Sequence, residues 1–147
     1  MSNIFHCAVE AGNLDETVKF YTDILFCKTD NSEEGKWVDI DFWGNELTLH
    51  SSTPRSSEHG DRHDVDMGAV VVPHFGVHLE RDVFEKIKKS VEDTVGYLDK
   101  PYTRFANTEY EQQTFFVMDP NYNVLEIKSL AKTPPPAEQQ RRTEVPT

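Results

Sequence analysis

The two halves of the chain begin with the same short pattern. Residues 5–10 read FHCAVE and residues 73–78 read PHFGVH, so each half carries a histidine at the start of an alternating apolar stretch. Alternation with a period of two predicts a half-buried strand, in which one set of side chains faces a core. A repeat at half the chain length predicts two similar modules that share one interior.

Each predicted strand is followed by an apolar stripe at helical spacing. Asn13 and Glu16 form a variant capping signal before the first stripe, and Asp82 and Glu85 recur before the second. The first stripe consists of Leu14, Val18, Tyr21 and Leu25, and the second of Val83, Phe84, Ile87 and Val91. A helix is therefore predicted after the first strand of each half.

Further strands are predicted after both helices. Residues 36–43 and 46–51 read as strands around a turn at Gly44 and Asn45, and residues 112–118 and 123–130 read as strands around a turn at 120–122. The pattern predicts an α+β fold of two βαβββ modules. We assign module 1 to about 4–52 and module 2 to about 73–131, within a single domain that spans 1–131.

Two segments lie outside the repeat. Residues 53–72 are assigned to the connection between the modules, and the polar, aperiodic stretch up to Met67 predicts a loop there. Residues 132–147 contain three consecutive prolines and then almost only polar side chains. Such a composition cannot bury enough apolar surface to fold, so a disordered C-terminal tail is predicted.

Charge and composition exclude several classes of partner. The chain has 15 Lys and Arg against 26 Asp and Glu, a net charge of −11, which disfavours nucleic acids and anionic membranes. No apolar stretch is longer than a strand, and no secretory signal precedes the first strand, which predicts a cytoplasmic protein. Two cysteines without metal spacing predict reduced thiols.

Three residues of the repeat are candidate metal ligands. His6 and His74 occupy matching positions on matching strands. On the last strand, Leu125 and Ile127 belong to the face that packs against the helix, so Glu126 points the other way. An ionised carboxylate on an inward face is costly unless it is paired or coordinates a cation. If the modules pack with twofold pseudosymmetry, the three side chains face one shared cavity.

The residue of module 1 that matches Glu126 is not a metal ligand, which predicts a metal site with open coordination positions. Alignment of the two modules puts Thr48 opposite Glu126, and a threonine hydroxyl is a poor metal ligand. Two imidazoles and one carboxylate with open positions are typical of non-haem iron(II) centres for oxygen chemistry. The same donors accept other first-row divalent ions, so Mn, Zn, Ni or Co stay open beside Fe(II).

These residues carry a resemblance to a known superfamily. Three sequence motifs resemble those of the vicinal oxygen chelate superfamily, and they lie at residues 6–9, 15–25 and 119–126. This superfamily includes glyoxalase I, bleomycin and fosfomycin resistance proteins and extradiol dioxygenases. Residues 73–77, 101–105, 111–116 and 126–128 look like its small, predicted extradiol-dioxygenase-like branch. The resemblance covers about 4–130. It implies a cup-shaped mixed sheet around one metal with His6, His74 and Glu126 as ligands.

The function that this resemblance implies is an iron(II) dioxygenase of extradiol type, which acts with molecular oxygen on a small aromatic vicinal diol. His50 is the candidate for proton transfer, or else a residue at a strand end. Tyr102 and Arg104 either bind an anionic or phenolic substrate or serve packing and the surface.

Two alternatives to this function stay open. One is a glyoxalase-type isomerase or lyase, and the other is a metal-free protein that binds an antibiotic or another small molecule. Dimers are common in this superfamily. We therefore expect a homodimer, in which the metal ligands come from one chain or from two.

Overall fold

The computed structural model describes residues 3–65 and 68–131, so the predicted C-terminal tail lies outside the described residues. In chain order the elements are β1 (His6–Gly12), α1 (Leu14–Lys19) with a π-helical continuation (Phe20–Ile24), β2 (Lys28–Glu33), β3 (Trp37–Phe42), β4 (Asn45–Ser51), β5 (Asp61–Val65), β6 (Gly68–Val72), β7 (Phe75–Leu79), α2 (Arg81–Asp93), β8 (Asp99–Arg104), β9 (Gln112–Met118) and β10 (Val124–Ser129). No helix among the described residues is long and apolar enough to cross a membrane.

The strands form two four-stranded mixed sheets of the same topology. The first has the order β1-β4-β3-β2, the second has the order β7-β10-β9-β8, and β5 pairs with β6 in a separate hairpin. In both sheets the first strand of the module pairs in parallel with the last, and the other pairs are antiparallel. The predicted α+β fold of two βαβββ modules is confirmed.

The strand registers agree with the predicted correspondence of Thr48 and Glu126. Thr48 pairs with Ala8, two residues beyond His6. Glu126 pairs with Gly76, two residues beyond His74. Because the side-chain period of a strand is two, the matching registers place Thr48 and Glu126 at equivalent points of the two sheets, facing away from the core.

The helices of both modules pack into one hydrophobic core. Tyr21 and Leu25 of the first stripe and Phe84, Ile87 and Val91 of the second are almost completely buried in it. The two helical segments also contact each other directly, because the Ser90 hydroxyl donates a hydrogen bond of 2.7 Å to the carbonyl of Ile24. Burial of each large side chain stabilises the fold by about 1.5–3 kcal/mol, so this core holds the modules together.

Only one of the two predicted helix caps forms. The side chain of Asn13 accepts a hydrogen bond of 3.0 Å from the backbone N–H of Glu16, as the capping signal predicts. The second helix begins one residue before Asp82, and its N-cap, Glu80, makes no side-chain capping bond. The apolar stripe of α2, rather than a cap, determines its position.

The edge strands and one turn differ from the prediction. The βαβββ pattern requires β2 and β8, but no residue range was predicted for either, because β2 is polar throughout and fully exposed and β8 has no apolar alternation. The turn between β3 and β4 consists of Trp43 and Gly44, with φ of 47° and 86°, one residue earlier than predicted. Two left-handed residues match the twist of a two-residue hairpin, and the Asp41 carboxylate stabilises the turn by accepting the Gly44 N–H.

The connection between the modules contains a hairpin where the sequence predicted a loop. β5 (61–65) pairs antiparallel with β6 (68–72), and Val71 of β6 is buried against Phe116 and Val124 of the second sheet. The Arg62 guanidinium binds the Asp99 carboxylate at 3.0 Å. The hairpin therefore covers part of the second sheet that would otherwise expose Phe116 to water.

Candidate metal centre and substrate cleft

His74 and Glu126 meet on the second sheet. Glu126 lies on β10, facing away from the helices, and His74 immediately precedes β7, the neighbouring strand. His74 Nε2 lies 3.3 Å from Glu126 Oε1, and both side chains are mostly shielded from solvent. The structure thus brings together two of the three predicted metal ligands within one chain.

Neighbouring groups fix the orientation of both side chains. His74 Nδ1 donates a hydrogen bond of 2.6 Å to the backbone carbonyl of Val71, at the end of the β5–β6 hairpin. The Thr114 hydroxyl donates to Glu126 Oε2 at 2.8 Å, and Lys128 Nζ lies 3.7 Å from the same oxygen. When Nδ1 carries the proton, Nε2 carries the lone pair, so a neutral His74 presents Nε2 as a metal donor.

The pair shifts both pKa values towards the charged forms. The hydrogen bond to Glu126 raises the pKa of His74, against the opposing effect of burial. Burial works against ionisation of Glu126, but the hydrogen bond from His74, the charge of Lys128 and the hydrogen bond from Thr114 outweigh it and lower the pKa of that carboxyl. Glu126 is therefore ionised at neutral pH, which is the state that binds a cation.

Replacing Glu126 by glutamine is expected to lower the pKa of His74 in the metal-free protein. The substitution removes the negative charge and turns the charge-assisted hydrogen bond to a carboxylate into, at most, a weaker one to an amide oxygen, so the imidazolium is less favoured. The measurement is an NMR titration of the imidazole signals. Glu46→Gln on the first sheet is the matched control, and an equal His74 titration in all three proteins would contradict the assigned pairing.

The same shifts define a pH window for stability. The pKa of His74 is raised, so its contribution is present below the unfolded value of about 6.5 and is lost as the pH rises through the folded pKa. The pKa of Glu126 is lowered, so its contribution is present above about 4.3 and is lost as the pH falls through the folded pKa. The metal-free pair therefore stabilises the fold most between these two limits.

His6 lies on the first sheet, away from this pair. Its Nδ1 donates a hydrogen bond of 2.7 Å to Glu46 Oε1, and the imidazole is half-exposed. Over residues 3–65 and 68–131 no group of three His, Cys, Asp or Glu side chains could hold a metal ion. One chain alone therefore does not bring His6 together with His74 and Glu126, and the three-ligand set stays a prediction.

The three predicted catalytic residues divide between the two sheets. His50 lies on β4, paired with Glu10 of β1, on the face of the first sheet that also carries His6. Tyr102 lies opposite Thr114 on the second sheet, and Arg104 follows two residues along β8. Directly opposed antiparallel residues point to the same side, so Tyr102 and Arg104 share the face of Glu126, whereas His50 does not.

A cleft of about 480 Å³ lies between β1 and the start of module 2. His74 lines it, together with apolar side chains that include Val9, Phe75 and Val124. Arg55 and His59 of the connecting segment also line this cleft. Neither residue was predicted as a residue of this site, and His59 was considered only for a second metal site with His63, because a polar stretch without periodicity carries no signal of its tertiary position.

The turn that precedes β10 connects module 2 to module 1 through hydrogen bonds. The buried Asp119 carboxylate accepts hydrogen bonds from the Tyr21 hydroxyl at 2.8 Å and from the backbone N–H groups of Asn121 and Asn123. The side-chain amides of Asn121 and Asn123 both donate to the carbonyl of Glu10 on β1. Burial raises the pKa of Asp119, although these hydrogen bonds oppose the shift.

Comparison with known proteins gives matches among solved structures only. No model of a protein family and no curated protein sequence matches the chain. A glyoxalase/bleomycin resistance protein/dioxygenase from Alicyclobacillus acidocaldarius is 28% identical, with a TM-score of 0.65 over 87% of this chain and 91% of that one. A genomically encoded fosfomycin resistance protein from Listeria monocytogenes is 12% identical, with a TM-score of 0.62 over 88% and 93% of the two chains.

A third solved structure, a lactoylglutathione lyase from Agrobacterium tumefaciens, is 17% identical, with a TM-score of 0.56 over 88% of this chain and 94% of that one. All three are proteins of the vicinal oxygen chelate superfamily. The chain thus has the vicinal oxygen chelate fold, and the predicted resemblance to this superfamily is confirmed, whereas the extradiol-dioxygenase-like branch stays a prediction. The superfamily contains enzymes as well as binding proteins without catalytic activity, so the fold alone does not define the reaction.

Proposed function

We propose that the protein is a divalent-metal-dependent enzyme, most specifically an iron(II) dioxygenase of extradiol type for a small aromatic vicinal diol. The observation that carries this proposal is the pair of His74 and Glu126, whose Nε2 and Oε1 atoms are 3.3 Å apart. Both groups are held by other hydrogen bonds, and His74 borders a cleft that suits a small molecule. A preoriented imidazole and carboxylate beside a cleft are what a catalytic metal requires.

The donor set fits such a metal when a second copy of the chain supplies the third ligand. His74 Nε2 and Glu126 Oε1 are two of the three donors. His6 is half-exposed and uses Nδ1 for Glu46, which leaves Nε2 for a metal. We propose a homodimer in which His6 of one chain completes the site of the other. His50 shares the face of His6, so the same copy would bring His50 to the site for proton transfer.

An iron(II) ion bound there supplies Lewis acidity and the activation of molecular oxygen. The chain supplies the rest of the site. Thr114 and Lys128 keep Glu126 ionised, while the Val71 carbonyl holds the tautomer of His74. Tyr102 and Arg104 lie on the same sheet face as Glu126 but outside the lining of the cleft beside His74, and we propose that they contact a phenolic or anionic oxygen of the substrate that extends towards them. The apolar walls of the cleft exclude water from the reacting oxygen atoms.

Replacing His74 by alanine is expected to abolish stoichiometric iron(II) binding, because half of the in-chain donor pair is lost. The measurement is an anaerobic iron(II) titration of metal-stripped protein, followed by oxygen uptake with a panel of catechols. His63→Ala, on the exposed strand β5, is the matched control and should bind iron like the parent. Iron binding without oxygen uptake would favour a glyoxalase-type isomerase or lyase instead.

A mixing experiment tests whether the site is shared between two chains. His6→Ala and His74→Ala homodimers should each lack an intact site. A heterodimer of the two variants has one chain with His74 and Glu126 and one chain with His6, so one of its two sites should be restored. No binding by any protein, including the parent, would contradict the metal site and favour a metal-free binding protein. That alternative agrees with the incomplete ligand group within the described part of one chain.

A further inference from the structure

Arg55 is held rigidly at the wall of the cleft. Its Nη1 donates hydrogen bonds to the carbonyl of Asn121 at 3.1 Å and to Asn123 Oδ1 at 3.0 Å. Its own backbone N–H donates to Asn121 Oδ1 at 2.8 Å. The side chain is only 21% exposed. A guanidinium that is fixed before a ligand arrives loses little conformational freedom on binding, which favours affinity for an anion.

The charge of Arg55 is only weakly compensated. Both acceptors of Nη1 are neutral oxygens, and the carboxylate that lies against the guanidinium belongs to Glu10. Glu10 Oε2 is 3.5 Å from Nη2, and the Glu10 side chain is 62% exposed. An ion pair at this distance with an exposed partner is screened by water and contributes little. A competing anion can therefore take the place of Glu10.

The cleft connects Arg55 to the candidate metal centre. Arg55, His59 and His74 all line the same space of about 480 Å³, which lies within the roughly 300–1,000 Å³ typical of small-molecule sites. Apolar side chains, among them Val9 and Phe75, form the walls between them. In a chain with a net charge of −11, the Arg55 guanidinium, with Glu10 beside it in the lining, is the place in this cleft that attracts an anion.

We propose that Arg55 binds a carboxylate group of the substrate while the oxygen atoms that react lie at His74. The substrate class then narrows to a small aromatic compound that carries both vicinal oxygens and a carboxylate. The assignment of the vicinal oxygens rests on the proposed function. The carboxylate subsite itself consists of residues of one chain and can be tested without a metal. Arg55 acts here as a specificity residue: because Nη1 already donates to Asn121 and Asn123, Nη2 and Nε would donate the two parallel hydrogen bonds to the carboxylate.

Benzoate and benzyl alcohol are the probes for the metal-free protein, measured by calorimetric or NMR titration. The two molecules have similar shape and differ in charge. Arg55→Gln should weaken benzoate binding by about tenfold or more and leave benzyl alcohol unchanged, because a charge-assisted bidentate contact is lost. Glu10→Gln should strengthen benzoate binding by about threefold, because the competing carboxylate is gone.

Glu10→Gln tests the carboxylate subsite even if the Arg55→Gln variant fails to fold. It retains Arg55 and changes only an exposed carboxylate, so unchanged or weaker benzoate binding in this variant would overturn the subsite. Equal benzoate binding by a folded Arg55→Gln variant would do the same. If iron binding is absent but Glu10→Gln still strengthens benzoate binding, the dioxygenase proposal fails and the subsite stands. If the protein binds iron(II) and consumes oxygen with catechols, but neither Arg55→Gln nor Glu10→Gln changes benzoate binding, only the carboxylate subsite is contradicted.

Discussion

Replacing Asp119 by alanine is expected to lower the free energy of unfolding by roughly 3–5 kcal/mol, because each buried donor left without an acceptor costs about 1–3 kcal/mol. The carboxylate accepts from Tyr21, from two backbone N–H groups of the turn and from the Asn123 side chain. Alanine would leave these donors buried without acceptors. Urea denaturation monitored by circular dichroism measures the change.

The control for this substitution is Asp30→Ala on the exposed strand β2, where a change within about 0.5 kcal/mol is expected. Tyr21→Phe removes one of the hydrogen bonds and should cost about 1–2 kcal/mol, between the two extremes. If Asp119→Ala cost less than 1 kcal/mol, the turn would not be the fastening between the modules. Loss of the Asp119 carboxylate should also make Arg55 more mobile, because Asn121 and Asn123 form hydrogen bonds with both residues.

Replacing Gly76 by alanine is expected to destabilise the protein by about 3 kcal/mol or more, which is the upper part of the range for overpacking a well-packed interior. A Cβ atom at Gly76 would overlap the backbone carbonyl oxygen of Glu126 on the neighbouring strand. A backbone group cannot move aside as the end of a flexible side chain can. The strand pairing would have to open at the residue that carries the candidate metal ligand.

Ala8 gives the internal comparison for Gly76, because it occupies the equivalent position opposite Thr48 in the first sheet. Ala8→Gly should cost only about 0.5–1 kcal/mol, the entropic effect of a glycine in a strand. Gly76→Ala should in addition weaken iron(II) binding through the displaced Glu126 backbone. Stability and iron affinity equal to those of the parent would mean that the two strands do not approach as closely as the structure describes.

The elements that could be predicted are those whose signal is local. Tyr21 and Leu25 lie one helical turn apart, and Phe84, Ile87 and Val91 repeat that spacing, so the buried stripes of both helices follow from periodicity alone. Glu126 was identified because its apolar neighbours assign it to the opposite face of a strand. The positions of β2 and β8 were not predicted because an edge strand is stabilised by backbone pairing, which leaves no periodic pattern in the exposed side chains of β2 or the mostly half-buried ones of β8.

The sequence by itself determined the two modules, their strand faces and the equivalence of His6 with His74, because burial periodicity acts within a few residues of each position. Only the tertiary structure decided that His6 stays apart from His74 and Glu126 among the described residues of one chain, and that Arg55 lies in the cleft beside His74. The position of one module against the other depends on contacts such as those of Asp119 with Tyr21, 98 residues apart. Contacts between distant segments leave no periodic trace in one sequence, so the geometry of the site came from the folded chain.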